Sequence, residues 1–104
     1  MLIGNKKLNF YPAIDIRKGN CVRLEKGNVQ TEVIFNPNPV EQAQEFESSG
    51  CNWIHIVDLD GAISGEQVNS EIIKNIRLKT NLKIQLGGGI RSIEAIRFWK
   101  DIGI

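Results

Sequence analysis

Trp53–Ala62 reads WIHIVDLDGA, and this stretch decides the fold. Its first part, Trp53–Leu59, is nearly all apolar and β-prone. Such a run suits a strand covered on both faces, as in a parallel sheet. The acids Asp58 and Asp60 and the turn-former Gly61 mark where that strand ends.

Downstream, Val68, Ile72, Ile73 and Ile76 make an apolar stripe at helical spacing, which predicts a helix over Val68–Lys79. Leu82–Leu86 reads as the next strand. Ser92 is placed to cap a further helix, with Ile93, Ile96 and Trp99 on its inner side and Gly103 closing it.

Upstream, Asn38-Pro39-Val40-Glu41 is a helix start. Asn38 can cap, Pro39 suits the first helical position, and Glu41 stands where a capping box needs an acid. Val40, Ala43 and Phe46 share one face, and Gly50 ends the helix. Phe10–Ile16 reads as the first strand. Pro12 is awkward inside a hydrogen-bonded ladder, so a bulge or a late start is expected. Lys18-Gly19-Asn20 is a turn, Cys21–Leu24 a short β extension, Gly27-Asn28 another turn, and Glu32–Phe35 more β structure.

The order is therefore strand then helix, three times, with a β excursion after the first strand. That alternation predicts an α/β fold with parallel strands and right-handed crossovers. Composition is compatible with an open sheet and with a barrel alike.

The chain has 104 residues, 41% of them hydrophobic, which is ordinary for one small globular domain. It carries 13 basic and 12 acidic residues and a net charge of +1. Lys6-Lys7 is too short for a nucleic-acid footprint, so no nucleic-acid partner is expected. Cys21 and Cys51 form no CxxC pair or Cys/His cluster, so a metal site is not expected and both read as unreactive thiols. The N-terminus lacks a signal-peptide core, and no apolar run reaches membrane-spanning length. The expectation is a cytoplasmic protein with no membrane partner.

The first chemical motif is Gly87-Gly88-Gly89-Ile90-Arg91-Ser92, between a strand and a helix. Glycines allow close backbone approach, and a helix N-terminus supplies N–H donors and a favourable dipole for phosphate. Arg91 can add charge-assisted hydrogen bonds. The motif is neither a P-loop nor GxGxxG. On local chemistry it is either a phosphate cradle or a tight βα turn with a solvated Arg91.

Asp15 stands near the carboxyl end of the first strand, the end where βα barrels gather catalytic side chains. It reads as a general base or as the acid that starts the next turn. Asp58 and Asp60 could order a site or hold a ribose hydroxyl, but turn formation at Asp60-Gly61 is the favoured reading. His55 reads first as a satisfied core residue, Arg23 as a solvated surface group, and Trp53 and Trp99 as packing residues.

Three motifs in order carry a family resemblance: PAIDIRKGNCVRLEKG (Pro12–Gly27), WIHIVDLDGA (Trp53–Ala62) and LGGGIRS (Leu86–Ser92). The chain resembles phosphoribosylformimino-5-aminoimidazole carboxamide ribotide isomerase of histidine biosynthesis. The sister cyclase differs: its first strand reads more like CLDV, and its second lacks the DLDGA form.

The resemblance implies a TIM (β/α)₈ barrel and an Amadori rearrangement of a phosphoribosyl aminoaldose to an aminoketose. It implies a bis-phosphorylated ribonucleotide substrate and no cofactor or metal. By matching positions, Asp15 is the expected general base, Arg23 and His55 contact substrate, and Gly88, Gly89 and Arg91 belong to a phosphate loop.

A closed barrel takes about 250 residues. Residues 1–104 are therefore expected to form a partial barrel of about three βα units. In the family a second catalytic aspartate belongs to the fifth strand, and a second phosphate loop follows later. A polypeptide of this length is expected to be inactive unless another chain completes the barrel, and to associate through an open sheet edge. The alternatives are a non-catalytic phosphate-binding βα module and a self-assembling barrel fragment.

Overall fold

The computed structural model describes residues 12–25, 28–64, 69–88, 90 and 92–104. Five strands run in the order β1 (Ala13–Arg17), β2 (Asn20–Glu25), β3 (Asn28–Asn36), β4 (Trp53–Asp58) and β5 (Lys83–Gly87). The described residues also form α1 (Pro39–Ser48) between β3 and β4, α2 (Leu59–Ser64) and α3 (Ser70–Lys79) between β4 and β5, and α4 (Ile93–Ile102) after β5. The fold is α/β. Expectations resting on Phe10, Tyr11, Gly27, Val68, Gly89 and Arg91 lie outside the described residues.

The strands form one sheet in the order β3-β2-β1-β4-β5. β1, β4 and β5 are parallel neighbours, whereas β2 is antiparallel to β1 and β3 antiparallel to β2. The expectation of parallel strands is thus corrected to a mixed sheet. The physical reason is the turn after β1. Lys18 (φ 51) and Gly19 (φ 80) both take positive φ, the signature of a tight two-residue hairpin, and a hairpin can only reverse the chain. Parallel pairing needs a helical crossover, which the chain provides only on either side of β4.

Pro12 stays out of the ladder. β1 starts at Ala13, and Pro12 contributes only its carbonyl, which accepts from the His55 N–H at 2.8 Å. Asn38 caps α1, its side chain accepting from Glu41 N at 3.1 Å. The reciprocal bond of a capping box is replaced: Asn38 N donates to the Asn36 side chain at 2.9 Å. At the other end Gly50 (φ 96) donates to Glu47 O and Cys51 N to Phe46 O, a Schellman stop. Gly103 (φ 100) and Ile104 end α4 in the same way, on Lys100 O and Trp99 O.

Alternation along the parallel strands divides the sheet into two faces. Ile14, Ile16, Ile54, Ile56 and Ile84 are buried on one face, with Cys21, against Ala43 of α1, Ile73 and Ile76 of α3 and Trp99 of α4. Burying one isoleucine side chain stabilises by about 1.5–3 kcal/mol, so this layer holds the helices to the sheet. Ala13, Asp15 and Arg17, with Trp53, His55, Val57, Lys83 and Gln85, fall on the other face and are half-buried or exposed.

The expected inner face of α4 is corrected in part. Trp99 is 3% exposed, but Ile93 and Ile96 are 65% and 56% exposed. Ile96 instead lines an open cleft beside β5, so only Trp99 of this stripe is packed into the core. No helix among the described residues is long and apolar enough to cross a membrane.

Candidate functional site at the strand ends

The parallel register brings three strand ends to one rim. Asp15 pairs with Val57, and Val57 pairs with Gly87, so Asp15, Val57 and Gly87 form one row across β1, β4 and β5. Strands lie 4.7–4.9 Å apart, which puts Asp15 and Gly87 roughly 10 Å from each other. Ala13 pairs with His55, so His55 shares Asp15's face one step back along the neighbouring strand. Burial raises the Asp15 pKa above the ordinary 3.8, and the electrostatic influence of His55 pulls the other way without overcoming it. A carboxylate pushed towards neutrality is a stronger base when ionised.

Gly88 turns the chain away from β5 with φ 98 and lies against the backbone of Asp58. The glycine turn is therefore anchored to the end of β4, beside the row that holds Asp15. Gly89 and Arg91, the other residues expected in the phosphate loop, lie outside the described residues. Ser92 caps α4 as expected, its side chain accepting from Ala95 N at 3.1 Å.

Asp58 is fully buried and faces the core side of the sheet. Its Oδ1 accepts from Gly61 N at 2.9 Å and from Asn69 Nδ2 at 2.7 Å, and its Oδ2 accepts from Asn69 N at 3.1 Å. Asp60 Oδ2 accepts from Asn69 Nδ2 at 2.9 Å and from Lys18 N at 2.7 Å. Asp60-Gly61, expected to form a turn, instead lies in the short helix α2, and the two acids tie three segments of the rim together. Sequence reasoning missed Asn69. It precedes α3 and looks like a helix cap, yet its side chain makes no cap hydrogen bond and serves the two acids.

Arg23 is not brought to this group. Val22 is the residue opposite Asp15, so alternation assigns Arg23 to the Cys21 face, and its guanidinium lies 5.4 Å over the Phe35 ring. Arg17, unremarked in the sequence, pairs with Glu32 at 3.0 Å. Cys21 is buried and its thiol is pushed up to about 11, so it is neutral at pH 7.

Among the described residues, two clefts flank the sheet. One, about 380 Å³, lies at the rim between Arg17, Lys18, Asp60, Ile63 and Ser64. The other, of similar volume, is apolar and runs along β5 beside α4, lined by Ile84, Leu86, Ile90, Ile96 and Trp99. The second sits on the helix-covered side and away from Asp15. No group of three metal-binding side chains occurs among the described residues.

Fold and rim define an α/β protein whose polar groups gather where parallel strands end, the end at which such folds hold ligands. Residues 9–104 match the family model described as Histidine biosynthesis protein, and the chain belongs to that family. It is 47% identical over 95 residues to a 1-(5-phosphoribosyl)-5-((5-phosphoribosylamino)methylideneamino) imidazole-4-carboxamide isomerase of Rhodospirillum rubrum, covering 91% of this chain and 39% of that protein. Proteins of the same name from Nautilia profundicola and Campylobacter concisus are 50% and 46% identical, over 91% and 93% of this chain and 40% and 41% of theirs. The chain thus spans about two-fifths of the length of these relatives.

Proposed function

We infer that the protein carrying this sequence is the aldose–ketose isomerase named in its relatives, acting on a bis-phosphorylated imidazole carboxamide ribonucleotide. The observation that carries this reading is the shared rim: Asp15 and His55 on one face, with the Gly88 turn at the end of the same row.

In the reaction an acid opens the ribose ring to an iminium. A base then removes the C2 proton, and the resulting enolamine tautomerises to the aminoketose. Asp15 is the base in this reading. Burial favours its protonated form, which suits a group that takes a proton from carbon and returns it. His55 contacts the substrate beside Asp15. Gly88, Gly89 and Arg91 hold one phosphate, using free backbone N–H groups and a guanidinium. The family resemblance also assigns Arg23 a substrate contact.

The same reading makes these residues three βα units of a (β/α)₈ barrel. The outermost strand β5 and the apolar cleft beside it would then pack against the next units. The uncovered face bearing Asp15 would line the barrel interior. A second acid and a second phosphate site would come from those further units.

The test is turnover of the aminoaldose by the protein expressed from its gene, with Asp15→Asn as the variant. Loss of a positioned base typically costs about 10²–10⁴-fold. Undiminished turnover by the variant would overturn the assignment. A polypeptide of these residues alone is expected to show no turnover.

A further inference from the structure

We propose that Asp60 is a positioning residue: it locks the hairpin turn that follows Asp15's strand onto the β4 rim, and so keeps Asp15 aligned beside His55. The inference rests on the isomerase reading for what Asp15 does, and on geometry for how Asp60 acts.

One carboxylate oxygen of Asp60 takes two donors, Lys18 N at 2.7 Å and Asn69 Nδ2 at 2.9 Å. Lys18 is the single non-glycine residue of positive φ among the described residues. A side chain is disfavoured in the left-handed region, so the turn needs an outside hold. The Lys18 N–H finds that hold in the Asp60 carboxylate oxygen at 2.7 Å.

The hold reaches further through Asn69. The same amide nitrogen that serves Asp60 serves buried Asp58, whose backbone supports Gly88. Asp60, Asn69 and Asp58 thus link the turn after β1, the residues after β4 and the glycine turn after β5. What Asp60 must supply is an acceptor at one place, not a charge.

Three variants separate those roles. Asp60→Asn keeps an acceptor there and removes the charge. Asp60→Glu keeps the charge and moves the acceptor. Asp60→Ala removes both. Misplacement of a catalytic group by about 1 Å costs on the order of 10²-fold. The expected result is a kcat near wild type for Asp60→Asn, and a loss of about 10–100-fold for Asp60→Glu and Asp60→Ala, with KM little changed.

A second readout needs no activity. The Asp15 carboxyl carbon, titrated by NMR, should keep its raised pKa in Asp60→Asn and slide towards the ordinary value in the other two. His55, which acts on Asp15 in the opposite direction to burial, is present in all three variants. Equal loss in Asp60→Asn and Asp60→Ala overturns the proposal, as does an Asp15 titration unmoved in Asp60→Glu. If wild type lacks isomerase turnover, the isomerase reading fails, and the titration alone decides the role of Asp60.

Discussion

Gly88 lies against the backbone of Asp58: a Cβ on Gly88 would strike the Asp58 carbonyl oxygen and come within 2.9 Å of its carbonyl carbon and 3.0 Å of its nitrogen. The neighbouring Gly87 meets nothing within 4 Å. Two adjacent glycines therefore serve different ends, one for packing and one for open space above the row of Asp15.

Gly88→Ala should destabilise the fold by at least about 1–3 kcal/mol, because the side chain meets backbone that cannot yield and φ is in the left-handed region. Gly87→Ala should leave stability nearly unchanged. On the proposed function it should still weaken substrate binding, since its Cβ would enter the space the phosphate approaches. Chemical denaturation and inhibition by inorganic phosphate check the two halves.

Asp58→Ala strips the acceptor from Gly61 N and from both nitrogens of Asn69. Each buried donor left unpaired costs about 1–3 kcal/mol. The expected outcome is a large loss in the denaturation midpoint, with early hydrogen exchange at Gly61 and Asn69.

The raised pKa of Asp15 makes stability depend on pH in a definite direction. The folded state binds the Asp15 proton more tightly than the unfolded state does. Stability from this group is therefore full below the ordinary 3.8 and declines as pH rises through the higher folded pKa. Asp15→Asn removes the decline. The variant should be more stable than wild type at pH 7, with the gap closing below the ordinary value. Melting curves across that range provide the check, and a variant less stable at pH 7 contradicts it.

Ser92→Ala should cost about 1 kcal/mol, because it frees Ala95 N at the start of α4. Asn38→Ala should cost a similar amount at α1, where Asn38 also links to Asn36. Circular dichroism melts measure both.

Much of this arrangement was legible in residue order. Strand-like Trp53–Leu59, capped Pro39 and the Lys18-Gly19 turn each carry a local signal strong enough to fix an element. The row of Asp15, Val57 and Gly87 followed once the strands were parallel. The Asp58–Asn69–Asp60 bridge was not legible, because Asn69 stands well apart from the two acids in sequence and each member has a commoner local use as turn-former or cap. The exposure of Ile93 and Ile96 was hidden for a similar reason. Helical spacing says which residues share a side, but not how far the surface beneath extends.

The two-faced sheet also assigns separate duties to alternate letters of the sequence. In the three parallel strands, even-numbered Ile14, Ile16, Ile54, Ile56 and Ile84 grip the helices, while odd-numbered Asp15, His55 and Gln85 stand on the uncovered side. A lineage can therefore rewrite what the molecule recognises by changing every second residue, and leave its folding instructions intact in the residues between.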